Sequence, residues 1–329
     1  MPIVDYSEII EARQNIGNAI LKTPMVLSQN LSDKTGCEIF LKLEHHQKTG
    51  SFKLRGASNA VACLTEEQKR VGVVGVSTGN HGRGLARACR QAGIRCVICM
   101  SDLVPQNKLD GIRAEGAEIL ISGSSQDEAE KAATQLEKEG MVMIPPFDHP
   151  QVIAGQGTLG LDVFEQLPEL TTAVVPLSGG GLMSGVATAL KHKNPDIHIV
   201  GVSMQRGAAM YACIQAGKYV EVEELPTLAD SLGGGIGEHN TYTFEMVQKL
   251  VDEYILVSET DIAEAIRHAY WQERQILEGS GSVALAAILS GKLKPADKTV
   301  LFCCGGNIDM SLHHRIVSGE NVDLMEAKR

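Results

Sequence analysis

The sequence predicts an α/β fold with mainly parallel sheets, and three features of the chain indicate it. Short apolar runs alternate with helix-like stretches along the 329 residues. Runs such as residues 71–77 and 173–178 are apolar on both faces, as strands inside a buried parallel sheet must be. Glycine-rich turns follow several of these runs, at the strand ends where α/β folds bind their ligands.

The predicted strands follow one another with a helix-sized stretch between neighbours. Nine runs of β-type residues stand at positions 37–44, 71–77, 95–100, 117–121, 141–145, 173–178, 199–204, 254–258 and 300–304. Helical patterns lie between them, most clearly at residues 126–138 and 261–274. Strand, helix and strand at this spacing predict parallel strands joined by right-handed crossovers.

Composition limits the class of protein. The chain is long enough for about two domains, and no linker or repeat divides it. Thirty basic residues against 40 acidic ones give a net charge of −10, which argues against nucleic acid as a partner. No apolar stretch reaches membrane length, and the N-terminal residues do not resemble a signal peptide. We therefore expect a cytoplasmic protein with no membrane partner, whose eight scattered cysteines are reduced.

Two turns that follow predicted strands could bind anions. Residues 178–182, Ser-Gly-Gly-Gly-Leu, lead into a helix of small residues, where free backbone N–H groups and the helix dipole favour a phosphate. Residues 77–82, Ser-Thr-Gly-Asn-His-Gly, have the same placement and could hold a smaller anion such as a carboxylate. The alternatives are glycines packed into a tight turn for the first, and an ordinary helix cap for the second.

Lys53 is the candidate nucleophile. It stands between Phe52 and Leu54 after the polar turn at residues 49–51, which is a setting that could bury its amine. Burial lowers the pKa of a lysine and makes the free amine available for Schiff-base chemistry. The alternative is a lysine that is simply a solvated surface charge.

Taken together, these segments resemble a known enzyme family. SFKLRG, STGNHG, PPFDHP–IAGQGT, PLSGGGL and CGGNID occur in the order and spacing of the fold-type II pyridoxal-phosphate enzymes, in the branch of serine/threonine dehydratases and serine racemases. The resemblance extends from about Ile9 to His313. Within the branch, STGNHGRGLA, CMSDLVPQNK, SMQRGAAM and LADSLGGGIG are most similar to dehydratases associated with hydroxyectoine utilisation.

The resemblance implies two three-layer α/β/α domains. Residues 1–46 and 150–329 would form a large domain that binds pyridoxal 5'-phosphate. Residues 47–149 would form a small inserted domain that carries the Schiff-base lysine and the loop for the substrate carboxylate. The cofactor would lie between the two domains, and closure of the small domain would exclude water from the substrate.

The resemblance also implies roles for individual residues. Lys53 would bind the cofactor covalently and then act as acid and base at the substrate Cα, with Thr78 as a second catalytic group. The cofactor would be held by Phe52, Asn80, Ser178, Gly179, Gly180, Gly181, Leu182, Glu278 and Cys304. The substrate carboxylate would be held by Ser77, Thr78, Gly79, Asn80 and His81.

The chain departs from the family pattern at a few positions. Cys304, where many relatives have serine, would face the pyridine nitrogen as a neutral group, although it could also be a plain buried thiol. Thr78 stands where serine racemases carry a catalytic serine. Residues 203–209 contain no carboxylate, so we predict that the divalent-cation site of some relatives is absent. Arg83 and Arg206 are candidates to bind a second substrate carboxylate, or else they are ordinary surface charges.

The sequence therefore predicts dehydration and deamination of a 3-hydroxy amino acid to a 2-oxo acid and ammonia. The substrate would resemble threonine or serine, or be hydroxyaspartate or a compound derived from hydroxyectoine. The alternatives are a racemase of serine or aspartate, a β-replacement synthase, and a non-catalytic binding protein with the same fold. Relatives are commonly oligomers, so we expect a homodimer or a homotetramer.

Overall fold

A computed structural model of the chain describes residues 3–76, 79–102, 104, 106–123 and 126–325, and it contains two sheets. The first has six strands in the order β1-β2-β10-β7-β8-β9, and the second has four in the order β5-β4-β3-β6. The strands are β1 Met25–Leu27, β2 Glu38–Lys42, β3 Val73–Val76, β4 Cys96–Met100, β5 Glu118–Ile121, β6 Val142–Met143, β7 Thr172–Pro176, β8 His198–Met204, β9 Glu253–Val257 and β10 Lys298–Phe302.

Helices connect and cover these strands. They are α1 Tyr6–Ile16, α2 Gln29–Thr35, α3 Lys53–Ala62, α4 Glu66–Val71, α5 Asn80–Ala92, α6 Gln106–Ala114, α7 Gln126–Lys138, α8 Pro150–Gln166, α9 Gly181–Lys193, α10 Ala209–Ala216, α11 Thr243–Leu250, α12 Glu259–Trp271, α13 Gly279–Leu289 and α14 Met310–Val317. Short 3-10 helices lie at Gly17–Ala19, Glu44–His46 and Asp230–Leu232. No helix in these described ranges has the length and apolar composition of a membrane span.

The predicted α/β class with mainly parallel sheets is confirmed. Each of the nine predicted strands is present, and every strand pair is parallel except β1 with β2. Strand β1 was not predicted from the sequence. It is a three-residue edge strand in which Val26 and Leu27 are exposed, so it lacks the buried apolar run of an interior strand.

Both faces of each sheet are covered by helices. Along β10, Leu301 packs in the same core cluster as residues of α12 and α13, and Val300 packs on the other face with residues of α8 and α9. Along β4, Ile98 packs with α3 and α5, and Val97 packs with α7. Each sheet is therefore the middle of three layers. The four-stranded sheet lies within residues 47–149, while the domain boundaries themselves stay a prediction.

The carboxyl ends of two strands, β7 and β10, converge with the start of helix α3 on one place. Strand β7 leads through residues 177–180 into α9, and β10 leads into Cys304. The backbone N–H of Phe52 donates to the carbonyl oxygen of Cys304 at 3.1 Å, and Ser51 forms an isolated antiparallel bridge with Gly305. These contacts hold the first residue of α3, Lys53, beside the end of the six-stranded sheet.

Candidate active site

A cleft lies at this convergence, and the space between its protein atoms, including its open mouth, is about 510 Å³. It is lined by all ten residues that were predicted to bind a cofactor: Phe52, Lys53, Asn80, Ser178, Gly179, Gly180, Gly181, Leu182, Glu278 and Cys304. Sequence reasoning missed six further lining residues: Phe147, Pro176, Met183, Ser231, Leu232 and Ser280. Of these, Phe147 lies in the quoted PPFDHP segment, which was the only signal for it.

Lys53 presents its amine to the cleft from the first turn of α3. Its Nζ donates to the carbonyl oxygen of Pro146 at 2.8 Å and lies 5.3 Å from the centre of the Phe52 ring. Burial lowers the pKa of Lys53 to about 8, because the charged ammonium loses its hydration. A larger fraction of the amine is therefore unprotonated near neutral pH than in an ordinary lysine, as a nucleophile or a general base requires.

The glycine turn before α9 is shaped to admit an anion. Gly180 has a φ of +88°, a conformation that favours glycine, and no side chain of the described residues caps the helix there. Cβ atoms at Gly179 or Gly181 would collide with Phe147, whose ring and backbone pack against the turn. The first N–H groups of a helix have no partner within it, so this turn offers backbone donors to a phosphate.

The hydroxyl of Ser178 stabilises this turn by a hydrogen bond to a neighbouring segment. Its Oγ donates to the carbonyl oxygen of Leu232 at 2.9 Å, which fastens the turn to the 3-10 helix Asp230–Leu232. Ser231 and Leu232 of that helix also line the cleft. The segment before α11 therefore forms one wall of the site, although no motif marked it as such beyond the glycines at 233–235.

Asn80, Glu278 and Asn307 form a polar cluster in which Asn80 and Glu278 are buried and Asn307 is half-buried. Asn80 Nδ2 donates to Glu278 Oε1 at 2.6 Å, and the backbone N–H of Asn307 donates to Glu278 Oε2 at 2.9 Å. Asn307 Nδ2 donates to Asn80 Oδ1 at 2.6 Å. Burial, with a smaller contribution from the charge of Asp230, raises the pKa of Glu278 to about 7. Asn307 was visible in the CGGNID segment, but no role was assigned to it.

Cys304 and Ser280 are buried neighbours at the end of β10. The Cys304 thiol lies 3.7 Å from the carbonyl oxygen of Ser280. Burial, and then the charge of Glu278, raises the pKa of Cys304 well above its ordinary value, so the thiol is neutral. The hydroxyl oxygen of Ser280 is buried and has no hydrogen-bond partner among the described residues. Cys304 and Ser280 therefore both offer neutral groups to a ligand.

The loop predicted to hold a carboxylate is described only in part. Ser77 and Thr78 lie outside the described residues, and Gly79 precedes the first residue of α5. His81 is buried, and its Nε2 lies 2.9 Å from the carbonyl oxygen of Ile144. Burial and the nearby Lys53 lower the pKa of His81 to about 3, so its ring is neutral and carries its proton on Nε2. The ring thus ties α5 to the end of β6.

Neither of the two arginines that are candidates to bind a second substrate carboxylate lines the cleft. Arg83 is half-buried, and its Nη1 donates to Asn307 Oδ1 at 2.8 Å. The guanidinium of Arg206 donates to both carboxylate oxygens of Asp323, at 2.8 and 3.0 Å, and to the carbonyl oxygen of Pro226. Arg206 therefore anchors the C-terminal segment beside the end of β8.

Comparison with known proteins identifies the family. The model of the family described as pyridoxal-phosphate dependent enzyme matches residues 16–305. A Sinorhizobium fredii protein with the provisional name threonine dehydratase is 51% identical over 318 residues, which cover 96% of each chain. The catabolic L-threonine dehydratase of Escherichia coli is 40% identical over 312 residues, which cover 94% of each chain. The structure of maize serine racemase superposes with a TM-score of 0.91 at 34% identity, covering 95% of this chain and 97% of that one. The chain therefore belongs to the family of pyridoxal-phosphate dependent enzymes.

Proposed function

We propose that this protein is an ammonia-lyase that dehydrates and deaminates a threonine- or serine-like 3-hydroxy amino acid to a 2-oxo acid and ammonia. The observation that carries the proposal is the low-pKa amine of Lys53, which shares one cleft with the glycine turn of residues 178–182. Relatives at 40% identity or more over nearly the whole chain carry the name threonine dehydratase, which supports the same chemistry.

The residues of the cleft fit pyridoxal phosphate. The uncapped start of α9, whose glycines let Phe147 pack closely against the turn, suits a phosphate, and the neutral Cys304 suits the pyridine nitrogen. The unpartnered hydroxyl of Ser280 leaves one buried polar atom to be satisfied by a ligand. When bound, pyridoxal phosphate supplies an electron sink for the charge that develops at the substrate Cα.

Lys53 would hold this cofactor and then move the proton. Its amine is unprotonated in an appreciable fraction near neutral pH, so Nζ can accept the proton that leaves the substrate Cα. The carbonyl oxygen of Pro146 accepts a hydrogen bond from Nζ and so orients the amine within the cleft. Asn80 would donate to the 3-hydroxyl oxygen of the cofactor, and Phe52 would pack against its ring.

The finer substrate assignment also stays a proposal. A 3-hydroxyaspartate-like substrate needs a second cationic group, and Arg83 is the candidate nearest to the cleft because its guanidinium bonds to Asn307 beside Asn80. Threonine or serine needs no such group. The unusual Arg83 and the resemblance to hydroxyectoine-utilisation dehydratases support testing both classes.

A substrate screen with a lysine variant tests the proposal. The purified protein should show the visible absorption band of bound cofactor and release ammonia and a 2-oxo acid from at least one of L-threonine, L-serine and 3-hydroxyaspartate. Lys53→Ala should abolish both properties. Lys69→Ala, at a half-buried lysine of α4 that pairs with Glu66, should leave both unchanged. A protein that never binds the cofactor would refute the proposal, and conversion of L- to D-amino acid without ammonia would establish a racemase instead.

A further inference from the structure

A chain of side-chain hydrogen bonds leads from the cleft to the half-buried Arg83. Arg83 Nη1 donates to Asn307 Oδ1 at 2.8 Å. Asn307 Nδ2 donates to Asn80 Oδ1 at 2.6 Å, and Asn80 Nδ2 donates to Glu278 Oε1 at 2.6 Å. The chain crosses three separate elements, since Asn80 and Arg83 lie on α5, Asn307 follows β10, and Glu278 precedes α13.

Donor and acceptor chemistry fixes the orientation of the Asn307 amide. A guanidinium can only donate, so the atom of Asn307 that faces Arg83 must be its oxygen. The opposite side of the amide faces the carbonyl oxygen of Thr49 at 2.8 Å, which can only accept, so that atom must be the nitrogen. Both neighbours therefore demand the same orientation, and neither could tolerate a rotated amide.

The orientation of Asn307 is passed on to Asn80. Asn307 donates from its amide nitrogen to Asn80, so the atom of Asn80 that faces it must be the amide oxygen, which accepts. The amide nitrogen of Asn80 therefore faces Glu278 and the cleft. An amide nitrogen has two hydrogens, and Glu278 takes one of them. The other has only a weak contact at 3.5 Å with Ser231 Oγ, so it remains for a ligand oxygen in the cleft.

We propose that Arg83 is a positioning residue, which orients the Asn80 amide through Asn307 so that Asn80 can donate to the bound cofactor. This inference rests on the proposed role of Asn80 toward the cofactor. In this role Arg83 would affect the reaction of every substrate, because each one reacts with the same bound cofactor. Reading a second carboxylate, in contrast, would matter only for a dicarboxylic substrate.

Variants of the holoenzyme test the positioning role without any substrate. Arg83→Met removes the donor at similar length, and Asn307→Asp removes the amide nitrogen. Both should shift the visible absorption maximum of the bound cofactor and speed its loss on dialysis about three- to tenfold, as expected for one lost hydrogen bond. Arg83→Lys keeps a donor and should retain most of the wild-type spectrum. Arg90→Met, on the same helix but bonded to Glu115 and the carbonyl oxygen of Ala114, is the matched control and should change neither property.

Asn80→Ala provides the reference for the whole chain. If it changes the spectrum while Arg83→Met and Asn307→Asp do not, the positioning role is refuted and the role of Asn80 survives. If Asn80→Ala itself leaves the spectrum unchanged, the assigned role of Asn80 is wrong, and the positioning role is refuted with it. An Arg83→Met enzyme with a wild-type spectrum and a raised KM for 3-hydroxyaspartate alone would show that Arg83 reads a carboxylate instead.

Discussion

Gly84 on α5 packs directly against the backbone of Lys53 on α3. A Cβ atom at residue 84 would lie 3.1 Å from the carbonyl carbon of Lys53 and 3.1 Å from the backbone nitrogen of Leu54. Such contacts are closer than a methyl group normally makes with backbone atoms. The position of the candidate nucleophile therefore depends on the absence of a side chain on the neighbouring helix.

We expect Gly84→Ala to displace the start of α3 by a few tenths of an ångström. The free energy of unfolding should fall by about 1–2 kcal/mol, as is usual for overpacking, and kcat should fall because a misplaced amine reacts poorly. Gly93→Ala, at the end of α5, is the matched control. It meets no atom within 4 Å but imposes a φ of +68° on alanine, so it should lower stability without changing kcat. Equal kcat values for the two variants would contradict the prediction.

The pKa of Lys53 predicts a pH-dependent cost to folding in the protein without cofactor. Its pKa is about 8 in the folded chain, against an ordinary value of 10.5. Below pH 8 the amine is therefore protonated in both the folded and the unfolded chain, and the folded state is destabilised because it buries a charged ammonium. As the pH rises from 8 to 10.5, the folded chain is already deprotonated while the unfolded chain still binds the proton. The stability contributed at this position therefore rises with pH.

We expect cofactor-free Lys53→Met to be more stable than cofactor-free wild type at pH 7, by at most about 3 kcal/mol at 1.36 kcal/mol per pKa unit. The difference should shrink between pH 8 and 10.5, where the wild type loses the penalty. Urea denaturation of both proteins at several pH values measures this difference directly. A difference that does not vary with pH would mean that the Lys53 amine is not desolvated.

Features formed by neighbouring residues could be predicted from the sequence, whereas contacts between distant segments could not. Apolar runs marked β7 and β10, and the glycines of residues 178–181 marked the anion turn, because each feature is complete within a few neighbouring residues. The role of Phe147 depends on its packing against that turn, and the PPFDHP segment marks the residue only through the family resemblance, without revealing this contact.

The same limit applies to the polar groups around the site. The resemblance implies that His81 holds the substrate carboxylate, and it says nothing of the bond between the His81 ring and the carbonyl oxygen of Ile144, which is 63 residues away. Asn307 and Arg83 meet across 224 residues. Hydrogen-bond partners at such separations are fixed by the assembled fold, so no spacing rule in the sequence could identify them.

A buried ion cluster behind the lysine helix gives a stability prediction. Arg55 is fully buried, donates to both carboxylate oxygens of Glu44 at 2.8 and 2.9 Å, and donates to Asp162 at 2.8 Å. We expect Arg55→Met to lower the free energy of unfolding by about 3–5 kcal/mol, because it leaves the Glu44 carboxylate buried without its cation. The double variant Arg55→Met/Glu44→Gln should recover part of this loss.

An exposed pair supplies the comparison for that cluster. Arg95 and Glu118 bond at 2.8 and 2.9 Å, but both side chains are more than half exposed. Arg95→Ala should change the unfolding free energy by less than about 1 kcal/mol in the same denaturation experiment. A cost for Arg55→Met as small as that for Arg95→Ala would show that water reaches the buried cluster.

The contacts of Phe147 predict that removing its ring restores cofactor retention in one of two glycine variants and not in the other. A Cβ at Gly179 would collide with ring atoms of Phe147, whereas a Cβ at Gly181 would lie 2.9 Å from the Cα of Phe147 and 3.0 Å from its carbonyl oxygen.

Gly179→Ala and Gly181→Ala should each weaken cofactor retention, because the turn must shift away from the phosphate position. Removing the ring by Phe147→Ala should restore retention in Gly179→Ala toward the level of Phe147→Ala alone. It should leave Gly181→Ala defective, since the backbone it strikes is unchanged. Cofactor content after dialysis of the three single and two double variants measures the effect, and equal rescue of both glycine variants would show that the ring, not the backbone, sets the space at Gly181.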